Sequence, residues 1–283
     1  MSEIIAENIK VGNHMALLRN LRNIEQAKVS ERHMEKVAIA LVKGVANGKQ
    51  FPFRYYTALN NVTSDRFKKA LEDCVNEAMK NFPTLGGKTM CLSDNSGSAW
   101  GSMNSEYGSV TIAEIGNLSS VMTAINSDEG YIGVFGDRLE VIKTDGENVF
   151  KQLGNVNSKG KKIGSSTENG IWLFWDKAIK NKEHWDNVFI YSDQQAGHGG
   201  LYGVNSNEYS KYATNGRYID VLALVNKYRA EVNPNVNVFS IQTAGYDNTV
   251  LPETAYRTAI LGGWTGREAV YANEMIKIWN GEI

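Results

Sequence analysis

The amino-acid sequence predicts an α/β protein, with a doubly wound, mostly parallel sheet over residues 86–283 and a short α-helical segment over residues 1–85 before it. Three observations carry that prediction. From Lys88 onward, short runs of apolar, β-branched and aromatic residues alternate with longer runs of helical spacing, as in strands joined by crossover helices. Before Lys88 only helical spacing occurs. A chain of 283 residues, 42% hydrophobic and 22% charged, has the ordinary globular composition needed to bury a substantial core.

In the helical segment, Met15, Leu17, Leu18, Leu21 and Ile24 share one face. Val37, Ile39, Leu41 and Val42 carry a second apolar face between Ser30 and Gly48. Arg54, Tyr55 and Tyr56 fall in a short segment between helices. Ser64 is a good N-cap for a third helix with the stripe Phe67, Leu71, Val75, Ala78 and Met79, which Phe82 and Pro83 end.

In the second segment, strands are expected at Thr89–Ser93, Tyr131–Phe135, Leu139–Lys143, Val188–Ser192, Val236–Gln242 and Arg257–Leu261. Helices are expected at Val110–Ile125, Glu147–Leu153, Glu168–Lys180, Tyr218–Val232 and Glu268–Trp279. Trp172 and Trp175, three apart, share a face directed at the sheet. In such a fold ligands bind at the carboxyl ends of strands. Asp94 falls at one of those ends.

The stretch Lys88 to Ser98, KTMCLSDNSGS, runs an apolar strand into a tight turn that presents Asp94, Ser96 and Ser98 as D-x-S-x-S. One carboxylate and two hydroxyls are hard oxygen donors of the kind a magnesium-type cation takes. Two later elements extend the set. Thr167 lies in the loop GSSTEN just before a helix, and Asp193 ends the apolar run VFIYSDQ. If those strands are neighbours, Asp193 stands beside Asp94.

That order of motifs resembles the metal-ion-dependent adhesion site (MIDAS) of von Willebrand factor A domains. Upstream, GNHMALLRNLRNI and FPFRYYTAL, followed by a helix leading into the D-x-S-x-S strand, resemble the C-terminal helices of a TROVE module in the Ro autoantigen family. The resemblance implies that Asp94, Ser96, Ser98, Thr167 and Asp193 bind Mg2+, or Mn2+ or Ca2+ in its place. One coordination position is left for an acidic side chain of a protein partner. It also implies an RNA partner, structured or single-stranded, as in a ribonucleoprotein. On the helices Lys10, Arg19, Arg22, Lys28, Arg32, Lys36 and Arg54 are then the phosphate contacts. The chain departs from the family pattern in two ways: only some 85 residues precede the A-type segment, and Asn95 stands where an apolar residue is usual.

Charge and motif content narrow the function. Thirty basic residues against 31 acidic ones give a formal charge of −1, so no global field draws the chain to nucleic acid or membrane. Two cysteines, Cys74 and Cys91, read as buried thiols. Neither a signal peptide nor a run approaching ~20 apolar residues is present, which predicts a soluble, cytoplasmic protein. His14, His33, His184 and His198 show no ligand or triad spacing, and no phosphate-loop, zincin or nucleophile-elbow motif occurs. The expectation is therefore a non-enzymatic, metal-dependent binding module, with a reduced TROVE-type RNA-binding protein as the alternative. Trp100 and Tyr107, beside the metal motif, and His198, in the polar segment Gln194 to Gly216, are the candidate partner contacts.

Overall fold

The computed structural model describes residues 13–283 apart from positions 49, 81, 103–109, 147, 167, 196–212, 215–217, 246, 248 and 263–266. It divides into two compact units, Met1–Phe82 with Asn148–Phe150, and Pro83–Glu147 with Lys151–Ile283.

The described part of the first unit is helical: α1 (His14–Gln26), α2 (Glu31–Lys43), a single turn at Val45–Gly48, α3 (Pro52–Leu59) and α4 (Asp65–Met79). Leu17, Leu18, Leu21 and Ile24 of α1 are buried with Val37 and Leu41 of α2 and Phe67, Leu71 and Val75 of α4, as their spacing predicts. Ile39 is a correction. It is 48% exposed, because Val37 and Leu41 set the inward stripe of α2 and a residue two places from each points the other way. The segment around Arg54 is itself a helix, with Pro52 in its first turn where a missing N–H costs nothing. Its Tyr55 hydroxyl bonds His14 Nε2 at 2.9 Å. Ser64 is the N-cap residue of α4, but its hydroxyl makes no capping bond. Instead Glu25 of α1 accepts the N–H of Thr63 at 3.0 and 3.1 Å and that of Ser64.

The second unit contains β1 (Leu85–Asp94), α5 (Ile112–Ile125), β2 (Ser127–Phe135), β3 (Leu139–Lys143), α6 (Val149–Gly160, from Lys151 onward), α7 (Gly170–Lys180), β4 (Asn187–Ser192), a small hairpin of β5 (Ala213–Thr214) and β6 (Tyr218–Ile219), α8 (Val221–Glu231), β7 (Asn237–Gln242), β8 (Thr258–Gly262) and α9 (Glu268–Asn280). The main sheet has the order β3-β2-β1-β4-β7-β8, parallel throughout except for β3 against β2. All six expected strands are present. Two helix boundaries differ: α6 runs on to Gly160, well past Leu153, and α8 starts at Val221 because Tyr218 and Ile219 pair in the hairpin.

Alternation along β1 explains the two covered faces. Met90 and Leu92 join the core formed with Trp172 and Trp175 of α7, Tyr228 of α8, and Val188 and Ile190 of β4. Both tryptophans are fully buried, and the Trp175 and Tyr228 rings meet edge-on at 5.2 Å. Ser93, on the opposite face of β1, bonds Asn117 of α5 at 2.6 Å. A capping box between Thr111 and Glu114 starts α5. Cys74 and Cys91 are buried free thiols, as expected. No described helix is long and apolar enough to cross a membrane.

Candidate metal centre

The carboxyl ends of β1 and β4 lie side by side, with Ser93 paired to Tyr191 across a parallel ladder. The sheet order reverses between these two strands, so the helices that follow them leave a crevice there. Asp94 closes β1 and Asp193 follows β4, which satisfies the condition that the two strands be neighbours. Each is only 3% exposed.

The turn after Asp94 is built around its carboxylate. Oδ1 accepts the Ser96 N–H at 2.8 Å. Ser96 Oγ and Ser98 Oγ lie 3.0 Å apart, and Ser98 Oγ donates to Asp193 Oδ2 at 2.9 Å. Asp193 Oδ1 accepts the Gln195 N–H at 3.1 Å. Four of the five sequence-predicted ligands are thus joined in one chain of contacts. Thr167 lies outside the described residues, as do Tyr107 and His198.

A residue outside the expected ligand set completes the cluster. Glu168, 8% exposed, accepts the Ser192 hydroxyl at 2.8 Å. One carboxylate oxygen each from Asp94, Glu168 and Asp193 lie within 4.8 Å of one another. The only sequence signal for it was its place next to Thr167 in the loop before α7.

Burying three carboxylates together has an electrostatic cost. Burial, then the neighbouring Asp193 charge, pushes the Asp94 carboxyl up to about 7. Burial, then the Asp94 charge, raises Glu168 well above the usual carboxylate range. Asp94 Oδ2 is buried without a hydrogen-bond donor among the described residues. A divalent cation fits these features: the donors are hard oxygens, they converge within 4.8 Å of one another, and an orphaned acceptor awaits a positive charge.

Rigid neighbours hold the turn. The Asn95 N–H donates to Phe135 O at 2.7 Å and the Gly97 N–H to Ser165 O at 2.8 Å. A Cβ on Gly97 would come within 2.8 Å of that same carbonyl, so glycine is what lets the two loops close on each other. Asn95, the departure from the family pattern, is fully buried and exchanges two 3.0 Å amide bonds with Asn117, which also donates to Asn157 of α6 at 2.8 Å. The polar residue thus ties β1 to two helices, and Gly160 leaves room for it: a Cβ there would lie 1.9 Å from Asn95 Oδ1.

Trp100, in a π-helical turn over Ser98–Ser102, is half-buried on Ala99, Ile112 and Ala113. Its ring lies under Lys161, whose Nζ is 5.1 Å from the ring centroid. Far along the sequence from these residues, Arg19, Arg22, Lys28, Arg32 and Lys36 are exposed on α1, α2 and the turn between them. Arg54 is half-buried, with its guanidinium 5.8 Å from the Phe53 ring centroid.

No curated protein matches the chain in sequence. The TROVE domain family matches residues 3–127, from the helices through β1 and α5 to the start of β2. The fold is similar to the crystal structure of the Deinococcus radiodurans Ro (RSR) protein, with a TM-score of 0.61 at 13% identity, covering 94% of this chain and 53% of that one. The chain therefore spans about half the length of that protein.

Proposed function

These matches support a protein of the TROVE/Ro family, and from that premise we propose that its α/β unit is a divalent-cation-dependent binding module that recognises an acidic group on a partner protein and turns nothing over. One observation carries the reading: three buried carboxylates converge within 4.8 Å, with Asp94 Oδ2 lacking any donor among the described residues. Asp94 and Asp193 supply carboxylate oxygens, while Ser96 and Ser98 orient the two side chains through their hydroxyl and N–H bonds. Thr167, adjacent in sequence to Glu168, is the fifth ligand. A bound Mg2+, or Mn2+ or Ca2+, would supply a coordination position for an incoming carboxylate. Burial, then the Asp94 charge, favours the protonated form of Glu168, which lessens the negative charge gathered around the ion.

A second reading rests on a different observation. On α1 and α2 the acids are engaged, Glu25 with the N–H groups of Thr63 and Ser64, and Glu31 with Arg66 at 3.1 Å. Arg19, Arg22, Lys28, Arg32 and Lys36 are exposed and form no ion pair among the described residues. Such a surface suits phosphate contacts, and with the TROVE match it supports RNA binding by the helical unit.

Both readings are tested by a pull-down with wild type and Asp94→Ala, each with magnesium and with chelator, scoring protein and RNA. Protein retained only by wild type with magnesium is the expected result. RNA retained equally by all four samples and released by salt, with no magnesium-dependent protein, would transfer the function to the helical unit.

A further inference from the structure

Beside the acid cluster, and sharing its loops, lies a cleft of about 460 Å³ lined by Asn95, Trp100, Gly160, Lys161, Lys162 and Ser165. Its walls are the turn after β1 and the loop after α6, which the Gly97 to Ser165 bond holds together. The cleft is thus lined by the two loops that also carry Asp94 and Glu168.

The groups facing this cleft are donors. Lys161 and Lys162 are exposed and form no ion pair among the described residues, whereas Lys159, two residues before Lys161, is committed to Glu140 at 2.8 Å. The Trp100 face positions the Lys161 ammonium by a cation–π contact, and the buried indole N–H has no acceptor among the described residues. Ser165 adds a hydroxyl from an exposed position. The carbonyls at the end of α6 oppose an anion. Just beyond the helix Arg138 brings a guanidinium near, donating to Lys162 O at 2.7 Å and to Ile163 O at 3.4 Å. With Lys161 over the indole, the ring is not open for a base to stack. The balance of donors and the covered ring favour a carboxylate over a nucleotide.

We propose that this cleft is a subsite for a second acidic side chain of the same partner, next to the one that reaches the cation, so that the recognised element is a diacidic peptide segment. The proposal rests on the cation-dependent reading above and names the partner's chemistry.

The test measures Mn2+ binding to the full chain, and then binding of two probe peptides in its presence, acetyl-Gly-Asp-Gly-Glu-Gly-amide and its Gln counterpart acetyl-Gly-Asp-Gly-Gln-Gly-amide. Wild type is expected to prefer the diacid by about tenfold, as two charge-assisted bonds allow. In Lys161→Ala/Lys162→Ala that preference should vanish, while Mn2+ affinity and binding of the monoacid stay unchanged. Equal affinity of wild type for the two peptides would overturn the subsite and leave the cation reading intact. Absence of Mn2+ binding would overturn both. A 5′-phosphorylated tetrauridine whose binding depends on the two lysines, with no peptide preference, would assign the cleft to nucleic acid and reject the acidic-peptide partner.

Discussion

The two units place their candidate binding charges in opposite environments. In the helical unit the cations Arg19, Arg22, Arg32 and Lys36 stand in solvent, and acids such as Glu25 and Glu31 are occupied in holding the fold. In the α/β unit the arrangement is inverted, with Asp94, Glu168 and Asp193 buried together. Exposed charges cost little to maintain and attract through a screened field, so binding there falls steeply with salt. Buried like charges destabilise the metal-free fold, and a cation that relieves them binds with little regard to salt. Removing an acid should therefore have opposite effects on stability in the two units.

The largest effect is expected at the candidate metal centre. Folding raises the Asp94 carboxyl from an ordinary 3.8 to about 7, so the folded protein holds a proton that the unfolded chain releases above pH ~4. Stability of the metal-free protein is thus fully present below that point and is lost as pH rises through about 7. Between pH 5.5 and pH 8 the melting temperature without metal should fall by about 5 °C or more, and saturating Mg2+ should restore it at pH 8. Asp94→Asn should remove the magnesium response and weaken the pH dependence to the part that the raised Glu168 carboxyl contributes, and should melt above wild type in chelator at pH 8. A variant that melts lower there would break the comparison.

A smaller shift of opposite sign is expected for Glu25→Ala, which strands the N–H groups of Thr63 and Ser64. A loss of about 1 to 2 kcal/mol, read by denaturant unfolding and independent of magnesium, is the expected outcome.

The third prediction sharpens the comparison through salt. If the helical unit contacts phosphates, replacing Arg19, Arg22 and Arg32 by Gln should reduce the slope of log affinity against log salt by about 2 to 3 for single-stranded RNA, without altering thermal stability. An unchanged slope would remove these three residues from the interface.

Much of this arrangement was legible in the sequence, for physical reasons that also mark where legibility ended. The six strands of the sheet could be located because each carries a short apolar run with no competing helical period, and Asp94 and Asp193 could be paired because both close such runs. Ile39 was misplaced because apolarity alone does not say which of two offset stripes faces inward. Arg54 to Tyr56 did not read as helix because eight residues span too few turns to show a period. Glu168 escaped the ligand set because its burial is a tertiary fact, set by the Ser192 hydroxyl that β4 delivers to it. Asn95 read as a simple departure, since its meaning lies in Asn117, 22 residues away in sequence and 3.0 Å away in space.

The central claim, that the acid cluster is a cation site, is tested most directly by titrating Mn2+ into chelator-stripped protein and following free Mn2+ by electron paramagnetic resonance. The account predicts one saturable site in wild type, competed by Mg2+, and its loss in Asp94→Asn and Asp193→Asn with the fold retained. Saturable binding that survives both substitutions, or none in wild type at millimolar Mn2+, would contradict it.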